Sequence, residues 1–356
     1  MSKASARVSF QVAREIQEHG YVFVIAEAGV NHNGELAKAL ALVDAAADAG
    51  ADAVKFQTFK AEQVVTEKGK MAEYQEKNLG TSESQRDMLR KFELDEQFYA
   101  PIVQRCKERN ILFLSTPHGG KESVDFLEQF DLAMWKIGSG DLTNYILLER
   151  VARTGKPIVL STGMATLDEV KKAVKFIKSH GNNQIVVLHC TTNYPCPPEE
   201  VNLAAMQTMM DELEEPVGYS DHTLGSQVAI MMATLGAAMY ECHFTLDKNL
   251  PGPDHVASSE PAELKQKIAA IRAVRMIMGD AVKKPNPSEQ RSMIGLVRRS
   301  VVVYRDLPAG HKITADDLEA KRPGDGLSPT EYEKLIGKKL KKAMQQDEQI
   351  TLKDVE

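Results

Sequence analysis

Residues Pro216–His255 read PVGYSDHTLGSQVAIMMATLGAAMYECHFTLDKNLPGPDH. Two short apolar runs end in polar clusters, Ser220-Asp221-His222 after the first and Glu241-Cys242-His243 after the second. The segment between them opens at Gly225 and carries Val228, Met232 and Leu235 near a 3.6-residue period, which predicts a helix. Strand, polar end, helix, strand, polar end is the sequence form of a parallel βαβ unit. Such a unit puts both histidine-bearing ends on one edge of a sheet. Two neutral imidazoles there, with carboxylates nearby, suit a divalent metal and leave positions open for a substrate.

The same pattern recurs upstream. Tyr21–Glu27 is an apolar run ending at an acid, as expected of a strand buried on both faces. Asn33 is placed to cap the helix that follows, with Leu36, Leu40, Val43 and Ala47 on one side and a stop at Gly50. Further strands are read at 53–57, 111–116, 133–141, 158–162 and 185–189. Helices are read from Asp95, at 121–129 and 145–153, after a Thr166/Glu169 capping box, in a Met-rich segment to about Leu213, and from a cap near Ser259 with Pro261 in the first turn. Thr58 to Leu94 is long for a βα connection, the length of a lid or binding loop, with a flexible surface segment without a role as the other reading. Eight strands alternating with eight helices over about 280 residues predict a (β/α)8 barrel. A doubly wound sheet is the weaker reading, since no Gly-x-Gly-x-x-Gly follows the first strand.

A barrel gathers the C-terminal strand ends at one mouth. Converging there would be Glu27, Lys55, Gln57, Thr116, Lys136, Ser139, Asp141, Ser161, Ser220, Asp221, His222, Glu241 and His243. Serines at such positions often only cap helices. Lys55 and Lys136 lie inside apolar strands, where a lysine is costly without an anionic partner.

The chain has 356 residues, 43% hydrophobic and 26% charged, with a formal net charge of -6 and no basic stripe, which argues against a nucleic-acid partner. No apolar run approaches a membrane span, and Cys106, Cys190, Cys196 and Cys242 lack zinc-site spacing, so a cytoplasmic protein with reduced thiols is expected. The polar, proline-bearing stretch from Lys283 marks a boundary: 1–282 as the barrel domain, 283–294 as linker and 295–356 as a small mixed domain. About 60 residues is marginal for independent stability, so docking onto another domain or subunit is expected.

IAEAGVNHNG at Ile25–Gly34, KFQTF at Lys55–Phe59, KIGSGD at Lys136–Asp141, STGM at Ser161–Met164, GYSDH at Gly218–His222, ECHFTLD at Glu241–Asp247 and GPDHVAS at Gly252–Ser258 resemble the sialic acid synthase family over nearly the whole chain. That family comprises N-acetylneuraminate synthases with their legionaminic and pseudaminic acid relatives. The C-terminal region resembles the antifreeze-like (SAF) module, an α+β domain. The resemblance implies a TIM barrel that condenses phosphoenolpyruvate with an open-chain N-acyl-mannosamine-type sugar, releasing phosphate and a nine-carbon 2-keto acid. N-acetylneuraminate synthase is the leading expectation. N,N'-diacetyllegionaminate or pseudaminate synthase, using a 2,4-diacetamido-6-deoxy hexose, is the alternative.

Carried over by motif, His222 and His243 would hold a divalent metal, manganese first, with magnesium or cobalt as alternatives. Lys55, Thr116, Lys136, Ser139, Ser161 and Ser220 would hold phosphoenolpyruvate. Gln57, Tyr194, Asp254 and Arg322 would contact the sugar, as would Glu27, which is grouped with Asp141 and Glu241 as a candidate catalytic acid. Arg322 would reach the site of a partner subunit in a domain-swapped homodimer. Some family members carry Glu at the position of Asp141, Asn at that of Thr192 and an aromatic at that of Leu296. Rival expectations are a synthase of shorter keto-sugar phosphates and a non-catalytic carbohydrate-binding protein.

Overall fold

The computed structural model describes residues 21–80 and 83–356. Two compact units divide at Gly279/Asp280. In the first, eight parallel strands form one sheet: β1 Phe23–Gly29, β2 Ala53–Thr58, β3 Leu112–Pro117, β4 Trp135–Ile137, β5 Ile158–Ser161, β6 Ile185–Cys190, β7 Val217–Asp221 and β8 Met239–His243. The order is β3-β2-β1-β8-β7-β6-β5-β4. The last strand therefore pairs with the first, with Glu27 opposite His243. β3 and β4 lie against each other without a ladder, leaving a near-closed TIM-like barrel.

Strand parity separates two cores. Alternate residues of a strand face opposite sides of the sheet. Outward positions such as Val24, Phe56, Trp135, Leu160, Val187 and Tyr240 pack against the helices in the large core. Inward positions Phe23, Ile25, Leu114, Met134, Val159, Leu188 and Met239 fill the barrel floor. Two residues further along the inward face, the chemistry changes from apolar to polar, and that step makes the mouth.

Several helix signals act as expected. Thr166 and Glu169 form the reciprocal capping box, and Asp95 Oδ1 accepts from Gln97 N at 3.0 Å. Gly50 closes the helix Leu36–Ala49 at φ 87, a left-handed conformation that suits glycine. Others differ. Asn33 does not cap that helix; it sits at φ 52 and its amide donates to the Pro251 carbonyl. The buried stripe there is Ala39, Leu42, Val43 and Ala46, with Leu36, Leu40 and Ala47 at its margin. The last barrel helix is capped by Glu260 with Glu263, one residue beyond Ser259. β4 stops at Ile137, and Ser139–Asp141 form a single 3-10 turn instead of extending the strand.

The connection from β2 to the helix Glu96–Glu108 holds three short helices, Ala61–Val64, Glu73–Leu79 and Gln85–Arg90. Its own small core joins Phe59, Met71, Met88 and Phe92 to Val30.

In the second unit β9 Ser300–Val303 pairs antiparallel with β10 Leu318–Lys321. Val301, Val303, Leu307, Leu335, Leu340 and Ile350 supply the centre of its core. Buried Asp317 accepts from Thr314, Arg305 and His311, and these contacts outweigh burial to hold its carboxyl well below the usual range. The turn opened by Ser328 is a 3-10 helix, Pro329–Lys334. No helix among the described residues is long and apolar enough to cross a membrane, and all four cysteines are free and buried.

Candidate active site

The parity that sends Ile25, Leu114 and Val159 to the barrel floor sends Glu27, Thr116 and Ser161 to the mouth. There a cavity of about 520 Å³ is lined by Glu27, Lys55, Gln57, Thr116, Lys136 and Ser139 on one side. Ser161, Tyr194, Ser220, His222, Glu241 and His243 line the rest of the wall expected from the sequence.

Four buried charges make its base. Lys55 Nζ lies 2.5 Å from Glu27 Oε2 and 3.8 Å from Glu241 Oε2, and donates to Thr116 Oγ1 at 3.0 Å. Lys136 Nζ donates to Ser161 Oγ at 2.7 Å and lies 3.2 Å from Glu241 Oε1. That same oxygen accepts from Ser220 Oγ at 3.1 Å. Burial opposes ionisation of Glu241, yet Lys136 and Lys55 outweigh it and bring the carboxyl down to about 2. Burial also opposes the charge on Lys55, but Glu241 and Glu27 push it above the ordinary lysine value. Lys136 is lowered by burial, with Lys55 adding to it. Glu27 is raised by burial, which exceeds the pull of Lys55. Two ammonium groups and two carboxylates cancel, so an incoming anion would meet cations whose present partners can yield.

The strand-end histidines are less than a tenth to about a tenth exposed. His222 Nδ1 lies 2.7 Å from the Thr191 carbonyl. A carbonyl only accepts, so Nδ1 carries a hydrogen; burial lowers the ring's affinity for a second proton, but Cys190 and the Thr191 carbonyl outweigh it and raise His222 above its ordinary value. His243 Nδ1 is buried without a hydrogen bond, 4.0 Å from Asp254 Oδ2. Burial, then His222, hold the His243 imidazole neutral, well below its usual pKa. The two rings are 5.5 Å apart, and the Tyr194 ring lies tilted against His222 at 4.0 Å. The neutral His243 imidazole, and Nε2 of His222 once a metal takes the place of its proton, would fit a divalent ion. Among the described residues no group of three His, Cys, Asp or Glu is arranged around such an ion. Two protein ligands, completed by water or substrate, are what the donor set offers.

Gln57, Tyr194 and His243 also line an adjoining cavity of about 470 Å³, which adds Asp254 and, from the long connection, Gln75, Met88 and Phe92. Burial raises Asp254 to about 6. Two expected acids are elsewhere. Asp221 points to the outer face, accepting from Thr223 and from Tyr240 Oη at 2.7 Å, because its parity is opposite to that of Ser220 and His222. Asp141 stands behind the cavity wall, bound to Asn144. Arg322 belongs to the second unit, where its Nε donates to the Val297 carbonyl. His118, Gly138 and Gly140 line the cavity without having been singled out. The only sequence signal for His118 was its two-residue step from Thr116.

Fold and site together define a near-closed (β/α)8 protein with a cavity of buried lysine–carboxylate pairs at the strand C-termini. Residues 42–283 match the NeuB family and residues 298–356 the SAF domain, and the chain belongs to the NeuB family. It is 46% identical over 329 residues to the N,N'-diacetyllegionaminic acid synthase of Campylobacter jejuni, covering 92% of this chain and 98% of that one. The protein of the same name from Legionella pneumophila is 44% identical over 322 residues, covering 89% and 90%. Among solved structures, the N-acetylneuraminic acid (sialic acid) synthetase of Leptospira borgpetersenii, in complex with citrate, superposes with a TM-score of 0.67 at 34% identity. That match covers 76% of this chain and 90% of the other.

Proposed function

We propose that this chain is a nonulosonic acid synthase that condenses phosphoenolpyruvate with a 2,4-diacetamido-6-deoxy hexose to give N,N'-diacetyllegionaminic acid and phosphate. The observation that carries the reaction class is the pair of buried lysines, each backed by a carboxylate and a hydroxyl in one cavity. A phosphate and a carboxylate on one small molecule need two cations plus neutral donors. Lys55 with Thr116, and Lys136 with Ser161, Ser139 and Ser220, supply them. The choice of sugar rests on the two relatives named for the diacetylated product, and it replaces N-acetylmannosamine, the leading expectation from sequence.

Gln57, Tyr194 and Asp254 face the adjoining cavity, where the sugar would lie, with Glu27 between the two compartments. His222 and His243 would hold the divalent metal, manganese first. When bound it would polarise the sugar aldehyde, which the weakly nucleophilic methylene carbon then attacks. Glu241 keeps both lysines in place and charged, a role for its carboxylate that precedes any proton transfer. By the family resemblance Arg322 would reach the sugar of a partner subunit in a homodimer.

Phosphate release tests the reading. With phosphoenolpyruvate and manganese, the 2,4-diacetamido-6-deoxy sugar is expected to turn over faster than N-acetylmannosamine, and EDTA to suppress release until manganese is restored. Preference for N-acetylmannosamine would return the substrate to the sialic acid type. Release from neither sugar would remove the synthase reading.

A further inference from the structure

His118 occupies a built position on the anion cavity. Its ring lines the wall beside Gly138 and Ser139, just past β3 and next to the seam where β3 and β4 share no ladder. Nδ1 lies 3.5 Å from Asp141 Oδ2, and Asp141 Oδ1 accepts from Asn144 Nδ2 at 2.9 Å. Gly138 makes the room: a Cβ there would come within 2.9 Å of His118 Cε1. With Nδ1 turned to the carboxylate, Nε2 is the nitrogen left for a ligand, and no described residue hydrogen-bonds to it. The side chain keeps 30% exposure, so the ring exchanges protons with water. A carboxylate behind one imidazole nitrogen fixes the orientation of the ring.

The geometry points to His118 as the proton donor to the departing phosphate, with Asp141 as its positioning residue; this rests on the synthase reading above. After water has added to the former enol carbon, the bond from that carbon to the phosphate ester oxygen breaks. Its electron pair stays on the phosphate oxygen, which takes the Nε2 proton of His118. The new hydroxyl on carbon loses its proton to solvent as the ketone forms, and the ring is reprotonated from water. Lys136, Ser139 and Ser161 beside His118 hold the phosphate end of the substrate in this scheme.

Asp141 is the charged side chain within ion-pair distance of the ring. Lys136 on β4, Glu241 on β8, and the Lys55–Glu27 pair on β2 and β1 face the same cavity, with Cys190 and the two strand-end histidines further along its wall.

The test measures the pH profile of kcat for phosphate release in the wild type, His118→Gln and Asp141→Asn. Thermal melts confirm that each variant folds. In the wild type kcat falls as pH rises through the imidazole titration. His118→Gln is expected to lose about 100-fold in kcat and to lose that limb, while KM for the sugar stays within about twofold. Asp141→Asn should keep the limb but lower kcat about tenfold, because the imidazole has lost the carboxylate that orients it. A wild-type kcat and limb in His118→Gln overturns the assignment. Should no sugar support release at all, the synthase reading fails on its own, and calorimetry with inorganic phosphate still decides the contact. Binding that tightens at lower pH in the wild type but not in His118→Gln supports it, and identical binding in both overturns it.

Discussion

A lysine inside an apolar strand is the most informative residue in this chain. Lys55 and Lys136 stood out in the sequence because a buried ammonium requires a partner, and the carboxylate partners are present. Lys136→Met is expected to weaken phosphoenolpyruvate binding by about 10- to 100-fold, the worth of one charge-assisted contact, measured by calorimetry. Near-normal affinity would take Lys136 out of the anion site. His32 was hidden, since nothing in NHNG shows which polar residue the fold buries. It is fully buried, its Nδ1 accepts from Gly34 N, and its Nε2 has no hydrogen bond. Burial lowers it to about 4 from an ordinary 6.5. Between those values the unfolded chain binds the extra proton. The contribution is therefore complete above 6.5 and is lost as pH falls toward 4, by roughly 3 kcal/mol in all. His32→Gln should flatten the loss of stability between pH 7 and 5 in denaturant titrations, and an unchanged slope would contradict the assignment.

At the scale of elements, strand parity did most of the placing. Period-two alternation separates floor, wall and mouth, and it is visible in sequence wherever a strand runs straight to its polar end. It misleads where the strand stops early. β4 ends at Ile137, so Asp141 turns away on a 3-10 turn; Asp221, by contrast, lies on β7 with parity opposite to Ser220 and faces outward. The capping of the first helix failed for a similar reason: Asn33 serves a contact to Pro251 that local sequence cannot show. Gly218 marks a tight approach between β7 and its neighbours. A Cβ there would meet Met239 O at 2.5 Å and Leu188 Cδ2 at 2.7 Å. Gly218→Ala must push β7 from β8 and is expected to cost about 1–3 kcal/mol. Because Ser220 and Glu241 sit two residues along those strands, it should also weaken phosphoenolpyruvate binding. Wild-type stability would show that the ladder has slack.

For the whole molecule, the alternation of elements foretold a barrel; the sequence put the boundary at the polar stretch from Lys283, and the structure divides the chain at Gly279/Asp280. Which sugar the site takes was not legible, because pocket shape comes from side chains on a connection with its own core rather than from spacing. If Arg322 serves the sugar, Arg322→Ala should raise the sugar KM about tenfold or more while leaving that for phosphoenolpyruvate nearly unchanged, consistent with losing one charged hydrogen bond. The reverse pattern in steady-state kinetics would contradict that role. The central claim is that strands distant in sequence bring two cations to one small dianion. A crystal structure of the chain with phosphoenolpyruvate tests it most directly. The account predicts the ligand in the mouth cavity, its phosphate and carboxylate shared between Lys55 and Lys136 with Thr116, Ser161 and Ser220 as further donors. Phosphoenolpyruvate bound elsewhere, with both lysines paired only to Glu27 and Glu241, would contradict it.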